Sequence, residues 1–222
     1  MKAFLKSAML GTGRSGRCIP LGLYSGLTLS LDPSCEMGLW LGTYEAETTP
    51  WLRRAGSTAR SLVDVGAGYG ELTVWGLKQP RMERVLAYDP KPERWSVFRE
   101  NLALNGLTGD SRLATFEEWF LGADDSGAAE QLFATLPEPI LVKIDVDGGE
   151  EMILQRMGGV LAAKRMLLLV ETHSRALDAA CHDLLVAAGY DVRRLTPAWW
   201  RRLLREQRPI GFNQWLVAEV QR

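Results

Sequence analysis

The ten residues Ser61-Leu-Val-Asp64-Val-Gly66-Ala67-Gly68-Tyr69-Gly70 carry the pattern richest in chemistry. An apolar run ending in alternate glycines is a strand feeding a ligand-binding turn, because glycine takes positive φ freely and lets backbone N–H groups approach a ligand. Glu71 to Gln79 reads as the helix that opens there. The flanking residues narrow the ligand class. In the dinucleotide fingerprint G-x-G-x-x-G a third glycine would stand at position 71, but Glu71 stands there and the glycine comes one residue early, at Gly70. Asp64 and Glu71 bracket the turn with negative charge, which opposes a pyrophosphate and attracts a ligand carrying an ammonium and a sulfonium. S-adenosylmethionine is such a ligand.

Further carboxylates continue this reading. Asp89 ends the next apolar run, Arg84-Val-Leu-Ala-Tyr-Asp89, where it can accept from both hydroxyls of a ribose or serve as an acidic cap before Pro90. After the run beyond it, Phe116 offers a flat face to an adenine and Glu117 an acceptor for its amino group, although Phe116 fits a plain core position equally well. Lys143, Asp145 and Asp147 alternate on a strand whose first half is apolar, which puts them on one pleat face near its C-terminal end. There Lys143 either pairs with a carboxylate or meets a substrate. Methyl transfer is an in-line displacement, so a protein must align donor and acceptor and manage the acceptor's proton. Asp145 is the first candidate for that proton or for the donor's ammonium, followed by Glu171 and His173 at the end of a later strand. His173 reads either as a base or as a helix-entry hydrogen-bonding group, and His182, inside a helix, as structural. No metal is expected, since Asp145 and Asp147 lack a later Asp or Asn ligand and Glu171-Thr-His173 stands in its place.

The elements that position these groups alternate as parallel strands and crossover helices do. Strands are expected at Arg84–Asp89, Ser111–Thr115, Pro139–Val146 and Arg165–Glu171, and helices over Pro92–Asn105, Gly149–Met157 and Ser174–Ala188, the last two stopped by Gly158 and Gly189. Tyr190–Leu195 and Gln214–Val220 read as two late strands with an antiparallel edge, joined by a segment holding Trp199, Trp200 and a basic stretch. Leu121 to Pro137 is a loop and helix over the sheet. Residues 1–55 read as an N-terminal cover, with a mobile start, a hairpin around Leu27–Leu31 and a lead-in helix near Thr49–Ala55. Residues 56–222 form the cofactor-binding domain.

Composition bounds the function. A chain of 222 residues, 46% hydrophobic and 24% charged, fits one α/β domain with a full core and at most a small N-terminal addition. Its net charge of -1 argues against a protein that coats nucleic acid. Seven Arg against three acids between Tyr190 and Arg222 are a local basic surplus, most simply a solvated helix face. Cys18, Cys35 and Cys181 suggest neither a disulfide framework nor a zinc site, and no apolar run reaches the length of a membrane span or a secretory core. A cytoplasmic location is expected.

The chain resembles the class I S-adenosylmethionine-dependent methyltransferases through VDVGAGYGE (63–71) and VLAYDP (85–90), and within them the FkbM-type family. The narrower likeness rests on LVKIDVDGGE (141–150), close to that family's K-I-D-V-E-G-A-E motif, with WLGTYE (40–45) upstream and VETH (170–173) downstream. Asp147 replaces the usual Glu and Gly149 the usual Ala. The resemblance implies a Rossmann-like α/β fold with a seven-stranded, mostly parallel sheet in order 3-2-1-4-5-7-6. It implies cofactor contacts from Asp64, Gly66, Ala67, Gly68, Tyr69 and Gly70 at the methionine side and from Asp89 and Pro90 at the ribose, with Tyr44 and Glu45 closing over the methionine end; Phe116, Glu117 and Asp145 join this set by their positions at the neighbouring strand ends. The expected activity is O-methylation of a hydroxyl on a small molecule, sugar or lipid-linked intermediate. The alternatives are an RNA or protein acceptor and a non-catalytic cofactor-binding domain. An N-P-P-Y turn after the fourth strand is absent, which counts against a nucleic-acid nitrogen.

Overall fold

A computed structural model describes residues 13–120, 127–196 and 212–220. The expectations for residues 1–12, for Leu121 to Ser126 and for the Trp199, Trp200 and basic stretch lie outside the described residues. Strands β1 (Ser15–Cys18) and β2 (Thr28–Leu31) pair as an antiparallel hairpin. The main sheet contains β3 (Ser61–Val65), β4 (Arg84–Tyr88), β5 (Leu113–Phe116), β6 (Ile140–Ile144), β7 (Met166–Thr172), β8 (Tyr190–Leu195) and β9 (Gln214–Val220). These seven strands lie in the order β5-β4-β3-β6-β7-β9-β8. Counted from β3 this is 3-2-1-4-5-7-6, as the resemblance implies. Only β9 runs antiparallel to its sheet neighbours β7 and β8, among the described residues.

The helices are α1 (Met37–Trp40), α2 (Thr49–Thr58), α3 (Glu71–Leu77), α4 (Trp95–Leu104), α5 (Ala128–Ala134), α6 (Glu150–Arg156), α7 (Gly158–Ala163) and α8 (Arg175–Ala187). A single 3₁₀ turn, Pro92–Arg94, leads into α4. The Ser174 hydroxyl accepts from the Leu177 N–H and caps α8, satisfying one of the donors that every helix start leaves open.

Strands covered on both faces read as near-continuous apolar runs, and β3 and β6 are buried at every position, Asp64 and Lys143 included. Their period of two sorts alternate residues to opposite faces. Leu62, Leu141 and Leu169 pack with Leu29, Trp51 and Leu52 from the N-terminal region, while Val63, Val142, Ile144 and Val170 pack with Phe133, Leu154 and Leu185 on the other side. The same alternation assigns the charges. Asp64 lies beside Lys143 in the register of β3 and β6, and Lys143 beside Leu169 of β7. Asp64, Lys143 and Glu171 therefore share the sheet face that the N-terminal residues cover.

Two local expectations change. Strand β6 stops at Ile144, and Asp147 takes a left-handed φ of 56° in the following turn, so it leaves the pleat face that Lys143 occupies. Gly148, with φ of 119°, completes that turn, which swings the chain into α6. The helix expected over Gly149–Met157 is α6 (Glu150–Arg156), which stops before Gly158 as read, but a second helix, α7, begins at that glycine.

Candidate active site

The glycine turn sits where β3 ends, between the ends of β4 and β6. The Gly66 and Ala67 N–H groups both donate to the Tyr88 carbonyl at 2.9 Å. The Asp145 N–H donates to the Val65 carbonyl at 2.9 Å, and a Cβ on Gly66, at φ of 83°, would fall 1.8 Å from the Asp145 carbonyl oxygen. Only glycine fits there. Gly70 has the same need, since a Cβ would meet the Phe98 ring at 2.6 Å. Gly68 differs, with open space where its side chain would be.

Asp89 anchors the turn. Its Oδ2 accepts from the Gly68 N–H at 2.9 Å and from Arg94 at 2.8 Å, and its Oδ1 accepts from the Lys91 N–H at 2.9 Å. Arg94 had no signal in the sequence, because a charged residue at a helix start reads as solvated. Pro90 follows at the half-buried edge. The Phe116 ring stacks on Tyr88 with centroids 4.3 Å apart, and the exposed Glu117 pairs with Arg99 at 3.2 Å.

Asp64 lies under the turn and does not reach its surface. Its Oδ2 accepts from the Thr73 hydroxyl of α3 at 2.7 Å, and burial pushes its carboxyl up to about 6 against the pull of Lys143 and Thr73. Glu71, at the start of α3, is pushed up to about 7 by burial. Tyr69 is half-buried, with the Arg14 guanidinium 4.6 Å from its ring centre.

The second cluster gathers beyond the ends of β6 and β7. The Lys143 ammonium is 3.1 Å from Asp145 Oδ2 and 3.7 Å from Glu45 Oε2. Burial pulls its pKa down, but Glu45 and Asp145 outweigh that and hold it well above the usual lysine range. Of the two readings of Lys143, the carboxylate pairing is the one observed. Glu45, at a left-handed φ of 45° beside the half-buried Tyr44, brings the N-terminal region into the site.

Glu171 is buried at the end of β7, where Asn213 Nδ2 donates to Oε1 at 2.7 Å and Trp215 Nε1 to Oε2 at 3.1 Å. Burial, with Glu45 and Asp145 nearby, raises its pKa to about 8. The His173 ring bonds through Nδ1 to Glu150 Oε1 at 2.7 Å, and this bond above all raises its pKa to about 8. Its Nε2 faces Asp145 Oδ1 and Asp147 Oδ1, each at 3.7 Å, and Glu171 Oε1 at 3.8 Å. One ligand-type atom each from Asp145, Glu171 and His173 lies within 4.8 Å of the others. The turn that lifts Asp147 off the strand thus points it toward His173 and Lys91 instead. Glu150, wholly buried, is a residue whose role carried no signal of its own, although it stood in the LVKIDVDGGE segment and three of that segment's residues are acids. Asn213 and Trp215 carried no signal, since β9 reads as an edge strand. His182, paired with its neighbour Asp183, stands apart from the cluster.

Comparison with known proteins supports the fold. No protein-family model matches the chain, and the FkbM-type likeness gains no support there. The chain is 29% identical over 118 residues to the ribosomal protein L11 methyltransferase of Symbiobacterium thermophilum, covering 53% of this chain and 37% of that protein. It therefore spans little more than a third of that curated relative. Among solved structures it is similar to the ribosomal protein L11 methylase of Lactobacillus delbrueckii subsp. bulgaricus, with a TM-score of 0.50 and 17% identity over 80% of this chain and 78% of that one. It is also similar to a putative rRNA-methylase from Clostridium thermocellum (TM-score 0.53, 11% identity, covering 78% and 93%). A precorrin 8W decarboxylase from Methanobacterium thermoautotrophicum gives a TM-score of 0.52 and 21% identity, covering 78% and 88%. No helix among the described residues is long and apolar enough to cross a membrane.

Proposed function

We propose, for a chain with the class I methyltransferase fold, that it transfers a methyl group from S-adenosylmethionine, the donor used by methyltransferases of this fold, to a hydroxyl of a small-molecule or glycan acceptor. The observation that carries this reading is the bond from the Gly68 N–H to Asp89, which makes the glycine turn and the ribose-type carboxylate one continuous wall at the sheet's C-terminal end. Such ends are where ligands of open α/β sheets bind. The residues present fit the donor. Gly68 leaves the turn open to a ligand, Asp89 offers carboxylate lone pairs, and Glu45 and Asp145 supply the negative charge that an ammonium and a sulfonium favour.

In this reading Gly66 to Gly70 hold the methionine end, Asp89 and Pro90 the ribose, and Phe116 the adenine face. The donor, when bound, supplies an activated methyl group. The chain's own residues orient it and handle the acceptor's proton: Asp145 next to the turn, with Glu171 and His173 on the adjoining strand end. Arg94 occupies Asp89 Oδ2 and yields it to the ribose. Asp89→Ala is expected to weaken S-adenosylmethionine binding at least about tenfold by loss of a charge-assisted contact. Calorimetry checks this, and unchanged affinity removes Asp89 from the site. Mass spectrometry of candidate acceptors, read for the gain of one methyl, tests the reaction, and tighter binding of a nicotinamide dinucleotide than of S-adenosylmethionine overturns the donor.

A protein or RNA acceptor is the second reading, favoured by the likeness to L11 and rRNA methylases. A methyl gain on ribosomal protein or RNA and none on small hydroxyl compounds would put it first.

A further inference from the structure

We propose that Asp145, Glu171 and His173 form a binding site for one divalent metal ion of the kind that accepts both imidazole and carboxylate, such as zinc or manganese. The metal's use in catalysis rests on the methyltransferase reading above, whereas its binding rests only on the geometry of the cluster.

Three features converge. The first is the spacing: His173 Nε2 stands 3.7 Å from Asp145 Oδ1 and 3.8 Å from Glu171 Oε1. These gaps are too long for hydrogen bonds but close to the roughly 3.4 Å edges of a tetrahedron of N and O ligands about 2.1 Å from a central ion. A contraction of a few tenths of an ångström closes these two gaps, and the ligand-type atoms of all three residues lie within 4.8 Å of one another. The second is orientation: Glu150, wholly buried, takes Nδ1 at 2.7 Å, while Nε2 is buried without a hydrogen-bond partner. In the neutral ring a carboxylate on one nitrogen fixes the tautomer in which the other carries the lone pair, an arrangement that metal-bound histidines share, and the ion takes the place of the Nε2 proton. Glu150 is itself held, accepting from the Gly148 N–H at 3.1 Å.

The third is support behind the carboxylates. Asn213 and Trp215 fix the two oxygens of Glu171, Lys143 takes Asp145 Oδ2, and Asp145 Oδ1 is the oxygen on the His173 side. Three carboxylates, Asp145, Asp147 and Glu171, thus surround one imidazole nitrogen at 3.7 to 3.8 Å with no hydrogen bond among these contacts. Acids converging on one imidazole nitrogen in this way favour a cation at their centre. Asp147 Oδ1, on the exposed side, is a fourth ligand or gives way to an entering one. The nitrogen in the set favours zinc or manganese over calcium or magnesium, which prefer oxygen alone. An acceptor hydroxyl at the open position would be oriented by the ion and would lose its proton more readily.

The test uses the untagged full chain, titrated with Zn²⁺ or Mn²⁺ alone by calorimetry, with imidazole resonances followed by NMR during the zinc titration. The chain has two histidines, so His182 is an internal control. One ion per chain is expected, with the His173 ring shifting and the His182 ring unmoved. Glu150→Gln should weaken binding about tenfold or more, and His173→Ala should abolish it. Absence of binding at millimolar metal, a shift confined to His182, or full affinity in His173→Ala overturns the site. If His173→Ala does not fold, the wild-type ring shifts decide alone. S-adenosylmethionine titrated into the same metal-free sample separates the two readings. Donor binding without metal binding removes this site and keeps the methyltransferase, and the converse removes the donor and keeps the site.

Discussion

Asp64 shows how a charge in the signature region serves the scaffold. It was expected to touch the cofactor, yet it lies under the turn and ties β3 to α3 through the Thr73 hydroxyl. Because burial raises its pKa from 3.8 to about 6, the folded state holds a proton that the unfolded chain releases more easily. The sign follows: this group favours folding increasingly as pH falls from about 6 toward 4, and the gain is lost as pH rises through about 6. The full span is on the order of 2 to 3 kcal/mol. Asp64→Asn, which keeps an acceptor for Thr73, should remove this part of the pH dependence and raise stability at neutral pH. Urea unfolding of both proteins at pH 4 and pH 8 measures it, and parallel pH profiles would refute it. At this scale the site was legible where residue type alone selects a role, as with Asp89 or His173. It was not legible for Arg94 or Asn213, whose partners come from fold geometry.

The elements explain why the glycines of the turn are not equivalent. At Gly66 the chain of β3 passes against the end of β6, so Gly66→Ala forces a backbone clash with Asp145, and a loss of several kcal/mol with loss of donor binding is expected. Gly68 has a φ of 59° and open surroundings, so Gly68→Ala costs only the left-handed strain, about 1 to 2 kcal/mol. Thermal unfolding of the two variants should separate them clearly, and equal losses would refute the packing argument. Strand identities were readable because β3, β6 and β7 carry dense apolar runs. The end of β6 was misread, since the alternation of Lys143, Asp145 and Asp147 continues in sequence after the left-handed turn has ended the pleat.

For the whole molecule, the N-terminal hairpin is bound to the sheet domain by two asparagines one helical turn apart, Asn101 on α4 and Asn105 at its C-cap. Asn105 donates to the Thr28 carbonyl at 2.6 Å and accepts from the Thr28 N–H at 3.1 Å, and Asn101 accepts from the Ser30 N–H at 2.7 Å. Side-chain amides here take the place of a neighbouring strand along the edge of β2. The sequence suggested a cover, but not this attachment, because asparagines within a helix carry no marker of what they reach. Asn101→Leu leaves buried backbone groups unpaired, and a loss of about 2 to 4 kcal/mol is expected. Denaturant titration measures it, and a loss below about 1 kcal/mol would show that the hairpin is held by its apolar contacts.

Asn101 also donates to the Tyr69 carbonyl at 2.8 Å, so a single amide grips the hairpin with its oxygen and the glycine turn with its nitrogen. The two ends share one free energy. A ligand that firms the turn through this amide disfavours the opening of β2, and the opening of β2 weakens that ligand by the reciprocal factor. Hydrogen exchange at the Ser30 amide, far from any methyl group, then becomes a gauge of donor occupancy, and the reciprocity holds whatever the acceptor is.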